Sequence, residues 1–207
     1  MKPILTSIYL VRHGQTDWNV KNLLQGQTNT DLNKNGEAQS RKLAKQLKKI
    51  YFDAIFSSDL LRAKRTAEII ALDHKLAIET RKVLRERFFG KYEGMPGKDY
   101  YKLFTNWEKL SEKEKFRFKL SKEMESEEES AIRLITFLRE IAVGYAGKNV
   151  LIVAHGGIMK SLLTHLGYAT SEKPVRMKNN GYILLESDGV DFFIKKVVGA
   201  DKNDPLA

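Results

Sequence analysis

Short apolar runs alternate with longer stretches of helical periodicity along this 207-residue chain. The runs at 8–12, 54–57, 77–84 and 149–154 have the length and β-branched content of buried strands. Between them, apolar positions recur at helical spacing over 34–50, 59–71, 127–143 and 157–167. In the first of these helices Leu43, Leu47 and Ile50 mark the core-facing stripe, and Asn33 is placed to cap it. Ser126 followed by Glu129 predicts a capping box that opens the 127–143 helix. Two more strands, near 181–187 and 191–198, flank Ser187-Asp188-Gly189 and predict a hairpin. Strands alternating with helices imply an α/β fold, a three-layer α/β/α sandwich around a mostly parallel central sheet. A chain of this length buries one substantial core, so a single domain over 1–207 is expected.

One stretch breaks the alternation. Gly94 to Glu125 carries Tyr100, Tyr101, Phe104, Trp107, Phe116 and Phe118 among many charges and is too long for a plain connection. It predicts a partly helical, lid-like insert at about 94–125, which either covers a site or is a solvated mixed-charge segment. Gly199 to Ala207 has the composition of a frayed tail.

The chain has no cysteine, which removes disulfide and thiol chemistry and suits a reducing cytoplasm. Its first apolar run is too short for a signal peptide, and none reaches membrane-spanning length, so a cytoplasmic protein without a membrane partner is expected. With 36 Lys and Arg against 26 Asp and Glu, the net charge is +10. The basic residues are spread along helix faces, as at Arg41, Lys42, Lys45, Lys48 and Lys49, without the stacking aromatics of an RNA-binding motif. Nucleic acid is therefore not an expected partner, and the charge serves instead to steer anionic substrates.

Candidate chemistry collects at strand ends. Arg12-His13-Gly14 follows Ile8-Tyr9-Leu10-Val11, so a nucleophilic imidazole is exposed at the sheet's carboxyl edge beside a fixed positive charge. Open N–H groups at the following turn suit an anion, and phosphate is the one expected. Val150 to Ala154 ends the same way, in His155-Gly156-Gly157, and packing gives no reason for imidazole at two strand ends. Ser57-Ser58-Asp59-Leu60-Leu61-Arg62 is a strand–turn–helix start from which the Arg62 fork can reach phosphate oxygens bidentately. Glu86 lies in Leu84-Arg85-Glu86-Arg87-Phe88-Phe89-Gly90, a carboxylate among aromatics.

Together these motifs resemble the histidine phosphatase superfamily. They run in the family's order: Leu10 to Thr16 with Asn19, Gln25-Gly26, Ser57 to Ala63 with Thr66-Ala67, Glu86 with Gly90 and Glu93-Gly94, and Ala154 to Gly157. Glu125-Ser126 ahead of Arg133 also resembles the family's pattern, with Met124 in place of the usual Gly. The resemblance implies a phosphoglycerate mutase-like fold and a small phosphorylated substrate. It also implies catalytic roles for His13, Glu86, His155, Arg12 and Arg62. His13 would become phosphorylated, Glu86 would protonate the leaving oxygen and then activate water, and His155, protonated beside the dianion, would join Arg12, Arg62 and Asn19 around the phosphoryl oxygens. Thr16, Gln25, Gly26 and Gly156 match positions that line or support the substrate pocket. Two arginines and two histidines supply the electrostatics, no metal-ligand spacing stands out, and no cofactor is implied.

The family contains both phosphatases and mutases. The mutases usually have Tyr where this chain has Phe89, and a longer insert with paired arginines; this chain has no such pair, although it keeps Arg87. Asp31 stands where the family more often has Pro. These departures favour phosphomonoester hydrolysis over mutase-type transfer. A non-catalytic phosphate-binding module is the third reading, but binding alone has no use for Glu86. The substrate's remainder is expected to meet the insert's aromatics and Lys91, Lys98 and Lys102.

Overall fold

A computed structural model describes residues 4–170 and 172–201. In chain order, the elements up to the third strand are β1 (Thr6–Arg12), α1 (Asp17–Val20), α2 (Lys34–Leu47), β2 (Ala54–Ser57), α3 (Leu61–Ala71) and β3 (Ile78–Thr80). There follow α4 (Gly97–Tyr101), α5 (Glu112–Arg117), α6 (Glu127–Gly144), β4 (Asn149–Ala154), α7 (Gly156–His165), β5 (Arg176–Ser187) and β6 (Phe192–Asp201).

One six-stranded sheet runs in the order β3-β2-β4-β1-β5-β6. β1, β2, β3 and β4 are parallel, and β5 and β6 pair antiparallel at one side. β4 lies at the centre, and Val150 to Ala154 are all buried, which explains its unbroken apolar run. Alternation along the strands divides the core. Ile8, Leu10, Phe56 and Ile152 pack with α6 and α7 on one face; Val11, Ile55, Leu151 and Val153 pack with α2 and α3 on the other.

The helix caps follow the local chemistry. The Asn33 side chain accepts from Gly36 N–H at 2.8 Å. Ser126 accepts from Glu129 N–H at 3.1 Å while Glu129 accepts from Ser126 N–H at 2.7 Å, closing the box at α6. α2 stops at Leu47, so Ile50 packs against the core from beyond the helix.

Two expectations are corrected at the ends of elements. The strand expected over 77–84 pairs only at Ile78–Thr80, because a 3₁₀ turn at Lys82–Leu84 drives Leu84 into the core. The expected tail begins later, since Gly199, Ala200 and Asp201 belong to β6, with Ala200 paired to Met177 and Asp201 to Arg176. Residues 202–207 lie outside the described residues.

Segment 94–125 holds α4, a 3₁₀ turn at Trp107–Lys109, and α5. It packs with the chain around Leu24 and Phe89 into a separate apolar cluster, in which Phe89, Tyr100 and Met124 are buried. Met124 roots this segment, and its sulfur accepts from Leu120 N–H. Among the described residues, no helix is long and apolar enough to cross a membrane.

Candidate active site

β1 and β4 are neighbours with Arg12 opposite Ala154, so their parallel register places His13 and His155 side by side. The ring centroids are 5.1 Å apart. His13 opens on a cavity of about 190 Å³ whose walls also include Arg12, Asn19, Gln25, Gly26, Arg62, Glu86 and Gly156. His155 lies fully buried against His13 at the N-cap of α7. Two of the expected residues, His155 and Thr16, lie behind the wall and do not line it. Thr16 caps α1 and donates to Gln25 Oε1 at 3.1 Å, so it supports the pocket from behind.

The two histidines are bound differently. His13 Nδ1 lies 2.7 Å from the Gly14 carbonyl oxygen. A carbonyl only accepts, so Nδ1 carries the proton and Nε2 keeps its lone pair. Both nitrogens of His155 are buried without a protein partner. His13 was expected to be exposed, but only 2% of it is accessible, because the surrounding loops and β5 close over the strand end. The Asn179 side chain and the Asn180 N–H donate to the His13 carbonyl at 3.0 and 3.3 Å.

Burial, together with Arg62 and Arg12, holds His13 well below the usual histidine range. His155 is held low in the same way, by burial first and then by Arg62 and the neighbouring His13. The protonated His155 expected beside a dianion is therefore not the form favoured by the site without that anion. Burial brings Arg12 and Arg62 down to about 10, which leaves both cationic at neutral pH.

The Arg62 fork is largely occupied by protein. It donates to the Thr28 and Gly26 carbonyls, each at 2.7 Å, leaving Nε without a partner. Gly26 has φ +53°, and a Cβ there would lie 2.1 Å from Glu93 Oε1, so the turn needs glycine. Glu93 in turn accepts from the Gln27 and Thr28 N–H groups at 3.0 and 2.8 Å. This carboxylate is committed to the loop that holds Arg62. Arg12 donates to the Met177 carbonyl, and its Nε is likewise free.

Glu86 comes down on the first turn of α7. Its oxygens accept from Gly157 N–H at 2.7 Å, Ile158 N–H at 2.8 Å and Arg87 N–H at 2.8 Å. A Cβ on Gly157 would lie 2.6 Å from Glu86 Oε1, so the second glycine after His155 makes this approach feasible. Two guanidinium groups, Gly156 at the start of α7 and a neutral imidazole thus face one small cavity, with the next two N–H groups of α7 given to Glu86, an arrangement suited to binding a phosphoryl group and attacking its phosphorus.

A second chamber of about 380 Å³ opens beside the first, and Leu24, Phe89, Tyr101, Gly157 and Lys160 border both. Tyr100, Phe104, Trp107, Phe116 and Phe118 supply much of its wall. Lys91, Lys98 and Lys102 line neither space; Lys102 pairs with Asp99 at 2.9 Å and points to solvent. The cations that do line the second chamber are Arg87, Lys115 and Lys160, and Glu127 sits 3.0 Å from Arg87 and 3.6 Å from Lys160. Arg176 adds a further cation to the phosphate-sized cavity. Arg176, Asn179 and Lys160 were missed in the sequence, because only the pairing of β5 and the facing of α7 bring them to the site.

Sheet, cavity and paired histidines define an α/β enzyme site for phosphoryl transfer. The sequence profile of the histidine phosphatase superfamily (branch 1) matches residues 8–198, and the chain belongs to that family. It is 38% identical over 162 residues to an uncharacterised phosphatase, PhoE, of Bacillus subtilis (strain 168), covering 78% of each chain. It is 35% identical over 176 residues to a metal-independent phosphoserine phosphatase of Arabidopsis thaliana, covering 81% of this chain and 71% of the relative. A mycobacterial glucosyl-3-phosphoglycerate phosphatase superposes with a TM-score of 0.78 at 26% identity, over 95% of this chain and 100% of that one.

Proposed function

We propose that the protein hydrolyses phosphomonoesters of small metabolites through a phosphohistidine at His13. The observation that carries the reading is the His13 Nδ1 to Gly14 carbonyl bond, which leaves Nε2 as the nucleophile. Burial and the two arginines keep that imidazole neutral, so its lone pair is available.

In the first step the Nε2 lone pair bonds to phosphorus as the bond from phosphorus to the ester oxygen breaks. That oxygen leaves with the electron pair and takes a proton from Glu86. Arg12, Arg62 and the start of α7 balance the charge on the three remaining oxygens, and His155, once the dianion offsets its burial, adds a donor. In the second step Glu86 takes a proton from water, the water oxygen bonds to phosphorus, and the P–N bond breaks to return the pair to Nε2. Phosphate leaves and His13 is regenerated. No step draws on a metal or a cofactor.

The alcohol half of the substrate extends into the aromatic chamber, with segment 94–125 as its lid. The relatives' names point to phosphorylated amino acids and phosphoglycerate derivatives as the polar candidates, and the ring-lined wall favours a flat apolar group. Water takes the phosphoryl group, because Phe89 offers no hydroxyl at the position where mutases usually carry Tyr.

The test is phosphate release from a panel of phosphorylated metabolites without added metal, for the native enzyme and His13→Ala. Release that depends on His13 is expected. Conversion of 3-phosphoglycerate to its isomer without free phosphate contradicts hydrolysis in favour of transfer.

A further inference from the structure

Glu86 sits on a stretch with no regular secondary structure: residues 86–89 belong to neither helix nor strand. Its position is fixed instead from outside. Arg133, on the second turn of α6, donates from Nη1 to the Val83 carbonyl at 2.5 Å and to the Arg85 carbonyl at 2.9 Å. Its Nε and Nη2 face Glu125 in a two-pronged ion pair, 2.7 Å at each prong. Glu125 continues the clamp, since its Oε2 accepts from Phe88 N–H at 3.3 Å and its own N–H donates to the Phe88 carbonyl at 2.9 Å. The two residues thus hold the chain on both sides of Glu86, at 83, 85 and 88. Neither lines the phosphate-sized cavity or the aromatic chamber.

We propose that Arg133 and Glu125 are positioning residues for Glu86, an inference that rests on Glu86 being the general acid. The carboxylate must meet two N–H groups of α7 at 2.7 and 2.8 Å and also reach the ester oxygen. A shift of about 1 Å in such a group costs up to about a hundredfold in rate. The chemistry needs a planar fork at 133. Only a guanidinium reaches two carbonyl oxygens and both oxygens of one carboxylate at once, whereas an ammonium bonds as a point charge. The pattern of Glu125 ahead of Arg133 is explained by this geometry: Ser126 starts α6, and the next turn faces the 83–88 chain.

A merely structural role would slow all substrates alike. The experiment measures enzyme phosphorylation in a single turnover, with an alkyl phosphate and an activated aryl phosphate. It is run for Arg133→Gln, Arg133→Lys and Glu125→Gln, each also combined with Glu86→Gln. Acid catalysis matters for the poor leaving group and little for the good one. Arg133→Gln is expected to slow the alkyl phosphate by about tenfold or more, and the aryl phosphate by less than about threefold. Arg133→Lys keeps the charge that Arg133 places near His155 and should not restore the rate. Added to Glu86→Gln, the Arg133 change should cost nothing further, because the group it positions is already gone.

Equal losses for both substrates, rescue by lysine, or losses that multiply in the Glu86→Gln background overturn the positioning role. If Glu86→Gln itself shows no dependence on the leaving group, the acid assignment falls and this inference falls with it. The two failures are therefore distinguishable. Should Arg133→Gln not fold, Glu125→Gln keeps the shape of the clamp, removes its charge, and answers the same question with a smaller effect in the same direction.

Discussion

The ends of β1 and β4 carry the same two residues, His-Gly, on adjacent parallel strands, yet the structure treats them unequally. At β1 the imidazole is tied through Nδ1 to a carbonyl, which sets its tautomer and fixes which nitrogen carries the lone pair. At β4 the histidine holds the N-cap position of α7, but its side chain makes no capping bond and neither ring nitrogen has a protein partner. The lesson is that one His-Gly pair can be given two settings, which suit the proposed nucleophile in one place and the proposed donor to the phosphoryl oxygens in the other. What separates them is one hydrogen bond and the element that follows. After His13 the chain enters a loop whose Gly14 N–H bonds the Thr66 hydroxyl at 3.0 Å; after His155 it enters a helix.

The comparison breaks most sharply under substitution. His13→Ala should lower turnover by at least about a thousandfold, since no other group attacks phosphorus. His155→Asn should cost about a hundredfold to a thousandfold, as removal of one transition-state donor does, while still allowing His13 to be phosphorylated slowly. Steady-state rates on one substrate check both, with near-unchanged circular dichroism as the control. Equal loss in the two variants, with no phosphoenzyme in either, removes the distinction.

A smaller effect separates the phosphate-sized cavity from the aromatic chamber. Trp107→Ala should raise KM for ring-bearing phosphate esters by about threefold to tenfold and leave competitive inhibition by inorganic phosphate unchanged. A change in phosphate inhibition would mean that the two spaces are not separable.

The smallest effect is on stability, and here the two histidines act alike. Both are held below the unfolded value of about 6.5. Below that pH the unfolded chain takes up protons that the folded site refuses, so their contribution is complete above about 6.5 and is lost as pH falls. Tm should decline by a few degrees between about pH 7 and pH 5, less steeply in His13→Asn and in His155→Asn, and less steeply with phosphate bound. Differential scanning calorimetry across pH reads this. An unchanged slope in both variants contradicts it.

The legible parts of the molecule were those fixed by short-range chemistry. β1 and β4 show as apolar runs because both faces of each are covered. Asn33 and Ser126 cap where side chains of that kind are favoured. The chemistry-bearing strand ends were legible for the same reason, since a polar residue directly after a buried run has few structural uses. The rest was set by distant partners. β3 is short because its partner β2 ends at Ser57, where Arg81 N–H makes the last bond between them, and the chain then turns to bury Leu84. Gly199 to Asp201 extend β6 through backbone pairing with Arg176 and Met177, which the composition of that stretch does not announce. Lys91, Lys98 and Lys102 stand beside or within the aromatic insert in sequence yet line neither space, whereas Lys160 and Arg176 reach the cavities from elements more than fifty residues further along.

The central claim is tested most directly by quenching the enzyme during turnover and locating the acid-labile phosphate by mass spectrometry and phosphorus NMR. The account predicts a single phosphohistidine at residue 13, bonded through Nε2, present in His155→Asn and absent from His13→Ala. Phosphate on His155, phosphate on Nδ1 of His13, or rapid turnover with no phosphoenzyme at all would contradict it.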